Sequence, residues 1–388
     1  MTLQPAEPDI RAAVAALVGS GPAPLALAVS GGGDSMALLH MLAGGAANGR
    51  ELVCLTVDHG LRAEAREEAG FVADTCRALG IAYQRLVWRE PRARQADARL
   101  ARHRLLAEAA RNAGASHILT GHTSDDQDET FLLRARQGSG WFGLSGMDPL
   151  SVSPAWPEGR GLLIARPLLH HSRAALRRQL RAAGGDWRED PTNENTDHER
   201  VRMRHLLGAA PQFRPHIVSC RARLALLRRA ELGRLARLLQ ERVEVCEDAG
   251  LRLDPKDVPP ETLGRLVSVL IQVAGGHANA PRGRSLNAVV SQITAGGPER
   301  ARTLGGALLV REGAKMAFYR DPGCVDAPPS AGQAVWDGRF VRDRDADLPV
   351  PENRFARLGW PPEPAGWRPL AGQRLANLTN CWQKLSTL

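Results

Sequence analysis

The chain has 388 residues, of which 43% are hydrophobic, so it is long enough for two or three globular domains. No apolar stretch approaches the ~20 residues that a membrane-spanning helix needs, which argues against a helical membrane protein. The formal net charge of +9 fits a polyanionic partner and equally an arginine-rich genomic composition, so the total charge does not decide between them.

Cysteine usage points to a reducing compartment. The six cysteines are scattered and form no Cys-x-x-Cys pair, so neither a zinc site, nor an iron–sulfur site, nor a disulfide framework is indicated. We therefore expect a cytoplasmic protein.

The first 190 residues alternate between strand and helix patterns. Helices are predicted from about Ser35 and Ser124 and over 63–80, 97–113 and 172–184. Strands alternating with helices of this length predict an α/β fold with a doubly wound parallel sheet, covered on both faces. The predicted strands are 25–29, 51–59, 81–88, 116–122 and 162–169.

The pattern changes after residue 200. One or two long Arg- and Leu-rich helices are predicted over 214–245, two more helices over 260–295, and a β-hairpin over 306–320. From Asp326 onward prolines accumulate. We expect a catalytic domain at 1–210, a mostly helical domain with a small hairpin at 211–325, and a Pro-rich tail at 326–388.

A glycine-rich turn follows the first predicted strand and precedes a helix. Glycines allow close backbone approach to an anion, and the helix N-terminus favours negative charge, so the turn indicates phosphate binding. The turn has no lysine and does not fit Gly-x-x-x-x-Gly-Lys-Ser/Thr. The candidate nucleotide-binding residues are Ser30, Gly31, Gly32, Gly33, Asp34 and Ser35.

Two further motifs end predicted strands, where ligands bind in open α/β sheets. Asp58 and His59 end the second strand and are candidates for contacting a nucleotide. The segment GHTSDDQDET at 121–130 follows the fourth strand and is unusually acidic. Its carboxylates could hold Mg²⁺ or receive an ammonium group. The candidate residues there are His122, Asp125, Asp126 and Glu129.

These motifs carry a family resemblance. SGGGDS resembles the PP-loop of ATP pyrophosphatases, which cleave ATP between its α- and β-phosphates. The order and spacing of SGGGDS, VDHGLR and GHTSDDQDET resemble those of tRNA(Ile)-lysidine synthetases. Further similar segments are ARLARH (98–103, with His103 where the family has Tyr), RQGSGWFGLSGM (136–147, with Gln137 where it has Arg), RPLL (166–169), EDPTNENTDHERVRMRHLL (189–207) and VWDGRF (335–340).

The resemblance implies an adenine nucleotide alpha-hydrolase-like fold and a specific reaction. ATP would adenylate the carbonyl oxygen on carbon 2 of the wobble cytidine in a CAU-anticodon tRNA(Ile), and the side-chain amine of free L-lysine would then displace AMP. The expected cofactors are ATP and Mg²⁺, the latter held by Asp34 and Asp125. A homodimer is compatible with the resemblance.

The remaining expected roles follow the chemistry. Asp126 and Glu129 suit a cationic amino acid, while the general base stays open between these carboxylates and His122. Arg102 and Arg202, with Arg99 and Arg204, are candidates for holding phosphoryl groups. Arginines on the helices within 160–237 are expected to bind tRNA phosphates and to lie outside the phosphate loop. They are Arg177, Arg178, Arg228 and Arg229.

Alternatives have weaker support in the sequence. A tRNA thiolation enzyme with the same loop usually carries paired active-site cysteines, and a GMP synthetase-like ligase would need an ammonia source. NAD synthetase lacks the Arg-rich addition. A metal hydrolase using His59, His122, Asp125 and Asp126 would leave SGGGDS without a role. A non-catalytic RNA-binding protein on an enzyme fold would not need intact motifs.

Overall fold

A computed structural model describes the chain over thirteen stretches and divides it into two compact units, Met1–Ala230 and Glu231–Leu388. No helix in these stretches is both long enough and apolar enough to cross a bilayer. The described residues are 9–43, 49–58, 64–88, 95–189, 197, 199–246, 250–277, 279, 281, 283–296, 301–326, 335–342 and 367–388.

The first unit is built on a six-stranded sheet. Its strand order is β3-β2-β1-β4-β6-β5, and all neighbouring strands are parallel except the β5–β6 pair. The predicted doubly wound parallel sheet is confirmed. The strands are β1 (Leu25–Ala28), β2 (Leu52–Asp58), β3 (Ala82–Val87), β4 (His117–Thr120), β5 (Leu150–Val152) and β6 (Leu163–Ala165).

Helices cover both faces of this sheet. Ala26 of β1 packs in an apolar cluster with Leu55, Leu106 and Ile118. Leu25 and Leu27 are also fully buried, but they face the other side because strand side chains alternate. The helices that lie in the first unit, or in the case of α9 begin in it, are α1 (Ile10–Val18), α2 (Gly33–Ala43), α3 (Glu64–Leu79), α4 (Gln95–Asn112), α5 (Ser124–Arg136), α6 (Trp141–Leu144), α7 (Arg173–Ala182), α8 (Glu199–Ala209) and α9 (Arg214–Arg242).

The sheet edge at β6 differs from the prediction. A strand over 162–169 is expected, but β6 ends at Ala165, just before Arg166 and Pro167. Proline cannot donate a ladder hydrogen bond, so the strand stops there. The antiparallel edge strand β5 was not predicted from the sequence.

The second unit contains the C-terminal part of α9 and a five-stranded sheet in the order β7-β8-β11-β10-β9. The predicted hairpin is confirmed: β10 and β11 pair with Glu312 opposite Lys315, and Gly313 in the turn has φ +63°. The elements are β7 (Val243–Val245), β8 (Leu251–Leu253), α10 (Pro260–Ala274), α11 (Arg284–Thr294), β9 (Arg302–Leu304), β10 (Ala307–Glu312) and β11 (Lys315–Arg320).

The expected Pro-rich tail contains folded elements. Three short strands pair in a separate antiparallel sheet, and a C-terminal helix follows. Arg374 in that helix donates hydrogen bonds to the carbonyl oxygens of Gln272 and His277, and Cys381 and Leu385 are buried. These elements are β12 (Val335–Trp336), β13 (Phe340–Arg342), β14 (Trp367–Pro369) and α12 (Ala371–Thr387).

Candidate active site

The glycine-rich turn lies between β1 and α2, at the carboxyl end of a central strand. Gly31 has φ +86°, a conformation that favours glycine. The Ser35 hydroxyl donates to the Gly32 carbonyl oxygen (2.9 Å) and accepts from the Ser30 N–H (3.2 Å). These bonds close the turn around the N-terminus of α2, whose first N–H groups lack intrahelical acceptors and suit an anion.

The end of β4 lies directly against this turn. A Cβ at Gly121 would lie 3.0 Å from the Ser35 nitrogen and 3.1 Å from the Asp34 carbonyl carbon. Only glycine fits this approach without displacing the backbone. The phosphate-loop motif and the acidic motif, more than 80 residues apart in sequence, are therefore neighbours.

The acidic motif forms the start of α5, and a capping box fixes it. The Thr123 hydroxyl accepts from the Asp126 N–H, while Asp126 Oδ2 accepts from the Thr123 N–H at 2.9 Å. Asp128 and Glu129 are each only 1% exposed. Because buried carboxylates need charged or hydrogen-bonding partners, this cluster requires cations around it.

Arg173, at the start of α7, is the central cation. Its Nε lies 3.1 Å from Asp34 Oδ2, and its Nη2 lies 3.3 Å from Asp126 Oδ1. Its Nη1 lies 3.6 Å from Glu129 Oε1, and its backbone N–H donates to Asp125 Oδ2 at 2.8 Å. One arginine thus joins the phosphate loop to the acidic cluster.

Arginines from α8 and α9 supply the other positive charges around the acidic cluster. Arg204 Nε lies 2.9 Å from Glu129 Oε1. Arg214 contacts Asp128 (2.8 Å) and Asp125 (2.5 Å), and Arg221 Nη2 lies 3.3 Å from Asp128. Asp125, Asp126 and Glu129 were predicted from the sequence, whereas Asp128 and its partners Arg214 and Arg221 were not. Arg173 was also not predicted, because nothing in the sequence distinguishes these arginines from the others.

The two carboxylates expected to hold a metal have different environments. Burial raises the pKa of Asp34, although Arg173 opposes this effect. Burial alone would raise the pKa of Asp125 as well, but hydrogen bonds from the Arg173 N–H and the Arg214 side chain lower it overall. Asp34 Oδ1 is buried without a hydrogen-bond partner in the described part of the chain, whereas both Asp125 oxygens accept hydrogen bonds.

A second group of side chains near α4 is basic. Burial lowers the pKa of His122 to about 3, with Arg166 and Arg102 adding to the effect, and lowers the pKa of His103 to about 4. Arg102 Nε and His103 Nε2 are buried without hydrogen-bond partners in the described stretches. The two histidines are therefore neutral, and the positive charge here comes from Arg102 and Arg166, which suits an anionic ligand.

The other predicted site residues do not all lie in the acidic cluster or the phosphate loop. Asp58 is buried at the end of β2, and His59 lies outside the described residues. Arg202 is exposed and donates to the Asp197 carbonyl oxygen, so Arg204 rather than Arg202 faces the acidic cluster. No group of three or more His, Cys, Asp or Glu side chains within the described ranges is arranged as a metal site.

The four arginines expected on a tRNA surface also differ. Arg178 is exposed and Arg229 is half-buried. Arg228 Nη2 lies 2.6 Å from Asp148, and its guanidinium stacks on Phe142, so it is engaged within the unit. Arg177 belongs to α7, which packs along α2. The expectation that these helices lie outside the phosphate loop is therefore wrong for α7.

Together, a phosphate-binding turn at a central strand and acidic and basic groups at the same sheet edge define the PP-loop class of nucleotide-binding proteins. A family model described as a PP-loop domain matches residues 6–210. The chain is similar to three proteins named tRNA(Ile)-lysidine synthase. That of Hyphomonas neptunium is 43% identical, over 81% of this chain and 87% of the relative.

The second relative, from Ruegeria pomeroyi, is 35% identical over 82% of this chain and 76% of its own length. The third, from Zymomonas mobilis, is 36% identical over 77% of this chain and 88% of its own length. The chain belongs to the tRNA(Ile)-lysidine synthase family.

Proposed function

We propose that this protein is an ATP-dependent ligase that attaches L-lysine to carbon 2 of the wobble cytidine in CAU-anticodon tRNA(Ile). The products are lysidine, AMP and pyrophosphate. The observation that carries the proposal is the contact, through Gly121 and Arg173, between the phosphate loop and a buried acidic cluster. A nucleotide on the loop would lie next to carboxylates suited to an amine.

The phosphate loop serves the first step. The cytidine carbonyl oxygen attacks the α-phosphorus of ATP, and the bond to the β-phosphate oxygen breaks. The turn at Gly31 and the N-terminus of α2 hold the leaving pyrophosphate, because backbone N–H groups and the helix dipole stabilise its charge. Arg102, with its buried unpartnered Nε, is placed to hold a second phosphoryl group.

Of the two carboxylates expected to hold Mg²⁺, Asp34 and Asp125, only Asp34 suits this role. A hard cation prefers oxygen, and Asp34 Oδ1 is a buried carboxylate oxygen with no described partner. Asp125 fits less well, because Arg173 and Arg214 use both of its oxygens. Asp34 would hold the ion together with phosphate oxygens, and the ion would offset the charge on the departing phosphates.

The acidic cluster serves the second step, in which the lysine amine attacks carbon 2 and the bond to the AMP oxygen breaks. Glu129 Oε1 accepts a hydrogen bond from Arg204 and lies 3.6 Å from Arg173 Nη1, whereas Glu129 Oε2 is buried without a described partner. Glu129 therefore offers an oxygen that receives the ammonium of free L-lysine and takes the proton that the nitrogen must lose before it attacks carbon 2. His122, with a pKa of about 3, is neutral but a weak base, so we assign it a hydrogen-bonding role.

The tRNA is expected to lie along the arginine-bearing helices, with Arg178 and Arg229 among its phosphate contacts. Arg228 is less suited, because its charge is already paired with Asp148. We assign the reaction to the cytoplasm, where tRNA, ATP and free lysine occur together. The homodimer and the assignment of domains at 1–210, 211–325 and 326–388 stay predictions.

The proposal is tested with purified protein, ATP, labelled lysine and tRNA(Ile) transcripts. We expect AMP and pyrophosphate release that requires a CAU anticodon, with lysidine found by nucleoside analysis. A transcript that differs only by a GAU anticodon is the matched control. Sulfur incorporation, or ATP cleavage that does not require tRNA, would contradict the proposal.

A further inference from the structure

Arg177 of α7 lies against the start of the phosphate loop helix. Its Nε lies 3.3 Å, and its Cγ 3.4 Å, from the position that a Cβ on Gly33 would occupy. Gly33 is the first residue of α2, and the free backbone N–H groups at a helix N-terminus suit a phosphate. The arginine therefore lies beside the anion-binding end of the helix, although it comes from a different helix.

Two side chains of the following segment hold Arg177 in this position. Its guanidinium lies 5.3 Å from the centroid of the Trp187 ring, and its Nη2 lies 3.0 Å from Glu189 Oε1. The Trp187 indole N–H also donates to Glu189 Oε1, at 2.8 Å. Trp187 itself reaches the loop, since its Cδ1 would be 3.5 Å from a Cβ on Gly33.

The same segment is attached to the phosphate loop through the backbone. The Arg188 N–H donates to the Gly31 carbonyl oxygen at 2.9 Å, and the Arg188 guanidinium stacks on Phe71 at 4.4 Å. The position of Trp187 and Glu189 relative to the loop is thus fixed by a bond that does not depend on their own side chains. Arg177 is consequently pre-positioned before any ligand binds.

Arg177 also has unused hydrogen-bonding capacity. Its Nε is buried without a hydrogen-bond partner in the described part of the chain. Its ion pair with Glu189 is weak competition for a ligand, because the Glu189 side chain is 61% exposed and water screens such pairs. Arg173, another arginine near the loop, already contacts Asp34 and Asp126.

We infer that Arg177 binds the β- and γ-phosphates of ATP, and so supplies the positive charge that a lysine provides in other phosphate loops. This inference rests on the proposed function, because it takes ATP as the ligand of the loop. It replaces the expected contact of Arg177 with tRNA phosphates. The charge comes from α7, 144 residues after Gly33 in the sequence.

The test compares Arg177→Gln and Arg177→Lys with Arg181→Gln. Arg181 also stacks on Trp187, at 4.8 Å, but is exposed and makes no described contact with the loop. Calorimetry would measure the Kd of α,β-methylene-ATP and of AMP for each full-length variant, with thermal melts to verify folding. We expect Arg177→Gln to raise the Kd of the ATP analogue at least tenfold and Arg177→Lys to raise it less. Arg181→Gln should change this Kd less than twofold.

AMP separates phosphate binding from a structural role. AMP lacks the β- and γ-phosphates, so its Kd should change less than twofold in Arg177→Gln. Equal weakening of AMP and the ATP analogue would show a structural effect and overturn the inference. If Arg177→Gln weakened tRNA binding but left ATP binding unchanged, Arg177 would contact tRNA phosphates and the inference would be overturned. Lysine- and tRNA-dependent AMP formation by the unmodified protein tests the proposed function separately.

Discussion

The Arg173 guanidinium lies 3.1 Å from the Asp34 carboxylate, across 139 residues of sequence. Asp34 belongs to the phosphate loop, and the same guanidinium contacts Asp126 in the acidic cluster. One side chain therefore holds together the groups assigned to the nucleotide and to the amine. Its removal should affect both steps of the reaction.

We predict that Arg173→Met lowers tRNA-dependent AMP formation at least a hundredfold, because three carboxylates lose a shared cation. The free energy of unfolding should fall by ~1–3 kcal/mol, as expected when half-buried charged groups lose their partner. Arg173→Lys should restore part of the activity. Initial-rate measurements and urea unfolding test this, and a wild-type rate in Arg173→Met would show that the bridge has no catalytic role.

Asp34→Ala and Ser35→Ala should each abolish AMP and pyrophosphate formation. Asp34 offers the open carboxylate oxygen, and the Ser35 hydroxyl closes the turn. Affinity for tRNA should stay within twofold, since neither residue lies on the arginine-bearing surface. Radiolabelled ATP cleavage and filter binding provide the two measurements. Full activity in Asp34→Ala would count against the phosphate-loop assignment.

Glu129→Gln should separate the two chemical steps. The variant keeps the side-chain shape but loses the charge that receives the ammonium, so the KM for lysine should rise at least tenfold and adenylated tRNA should accumulate. Asp125→Asn should leave the Mg²⁺ dependence unchanged, because its oxygens are already used by Arg173 and Arg214. A lysine KM unaffected by Glu129→Gln would place the amine elsewhere.

His122 should make the fold sensitive to acid. Its pKa is about 3 in the folded protein, against an ordinary value of 6.5, because burial and neighbouring Arg166 disfavour the charged form. Below pH 6.5 the unfolded chain binds a proton that the folded chain excludes, so the free energy of unfolding falls as the pH decreases. The slope contributed is up to about 1.4 kcal/mol per pH unit.

Urea unfolding of His122→Asn at pH 7.5, 6.5 and 5.5 measures this contribution. We expect the variant to lose less stability between pH 6.5 and 5.5 than the unmodified protein. His205→Asn, at an exposed position of α8, is the matched control and should retain the full slope. An identical slope in His122→Asn would mean that the imidazole is charged in the fold.

The basic surface should bind tRNA through counterion release. We predict that Arg178→Glu with Arg229→Glu weakens tRNA binding at least tenfold, or about 1.4 kcal/mol, and makes the salt dependence shallower. Arg228→Gln should instead lower thermal stability, because it leaves the Asp148 carboxylate unpaired. If the double variant kept its tRNA affinity and its salt dependence, these arginines would be ordinary solvent-exposed residues with no role in tRNA binding.

The edge of the sheet where the site lies could be predicted from sequence for a simple reason. Parallel strands place their carboxyl ends at one edge of the sheet, so motifs that follow the first and fourth strands share that edge, and the observed pairing of β1 with β4 makes them neighbours. Gly121 against Ser35 is the contact that this rule requires. Apart from α6, β5 and the end of β6, the strands and helices up to residue 190 were predictable, because local periodicity determines them.

The ion pairs could not be predicted, because they depend on how helices are placed in space. Arg173, Arg214 and Arg221 look like any other arginine in sequence, and each pairs with an acid 47 to 139 residues away. Arg177 and Arg228 were expected on the surface for the same reason. The short edge strand β5 and helix α12 were missed because prolines near them obscured the local pattern.

The capping box of α5 limits how this site could be redesigned. Asp126 Oδ2 is used by the Thr123 N–H and hydroxyl, so the residue that faces Arg173 also starts the helix. A change at Asp126 would alter the start of α5 as well as the contact with Arg173. Glu129, one turn later, takes no part in capping the helix. Engineering the enzyme to accept a different amine should therefore begin at Glu129, with Asp126 and Thr123 kept as a fixed pair.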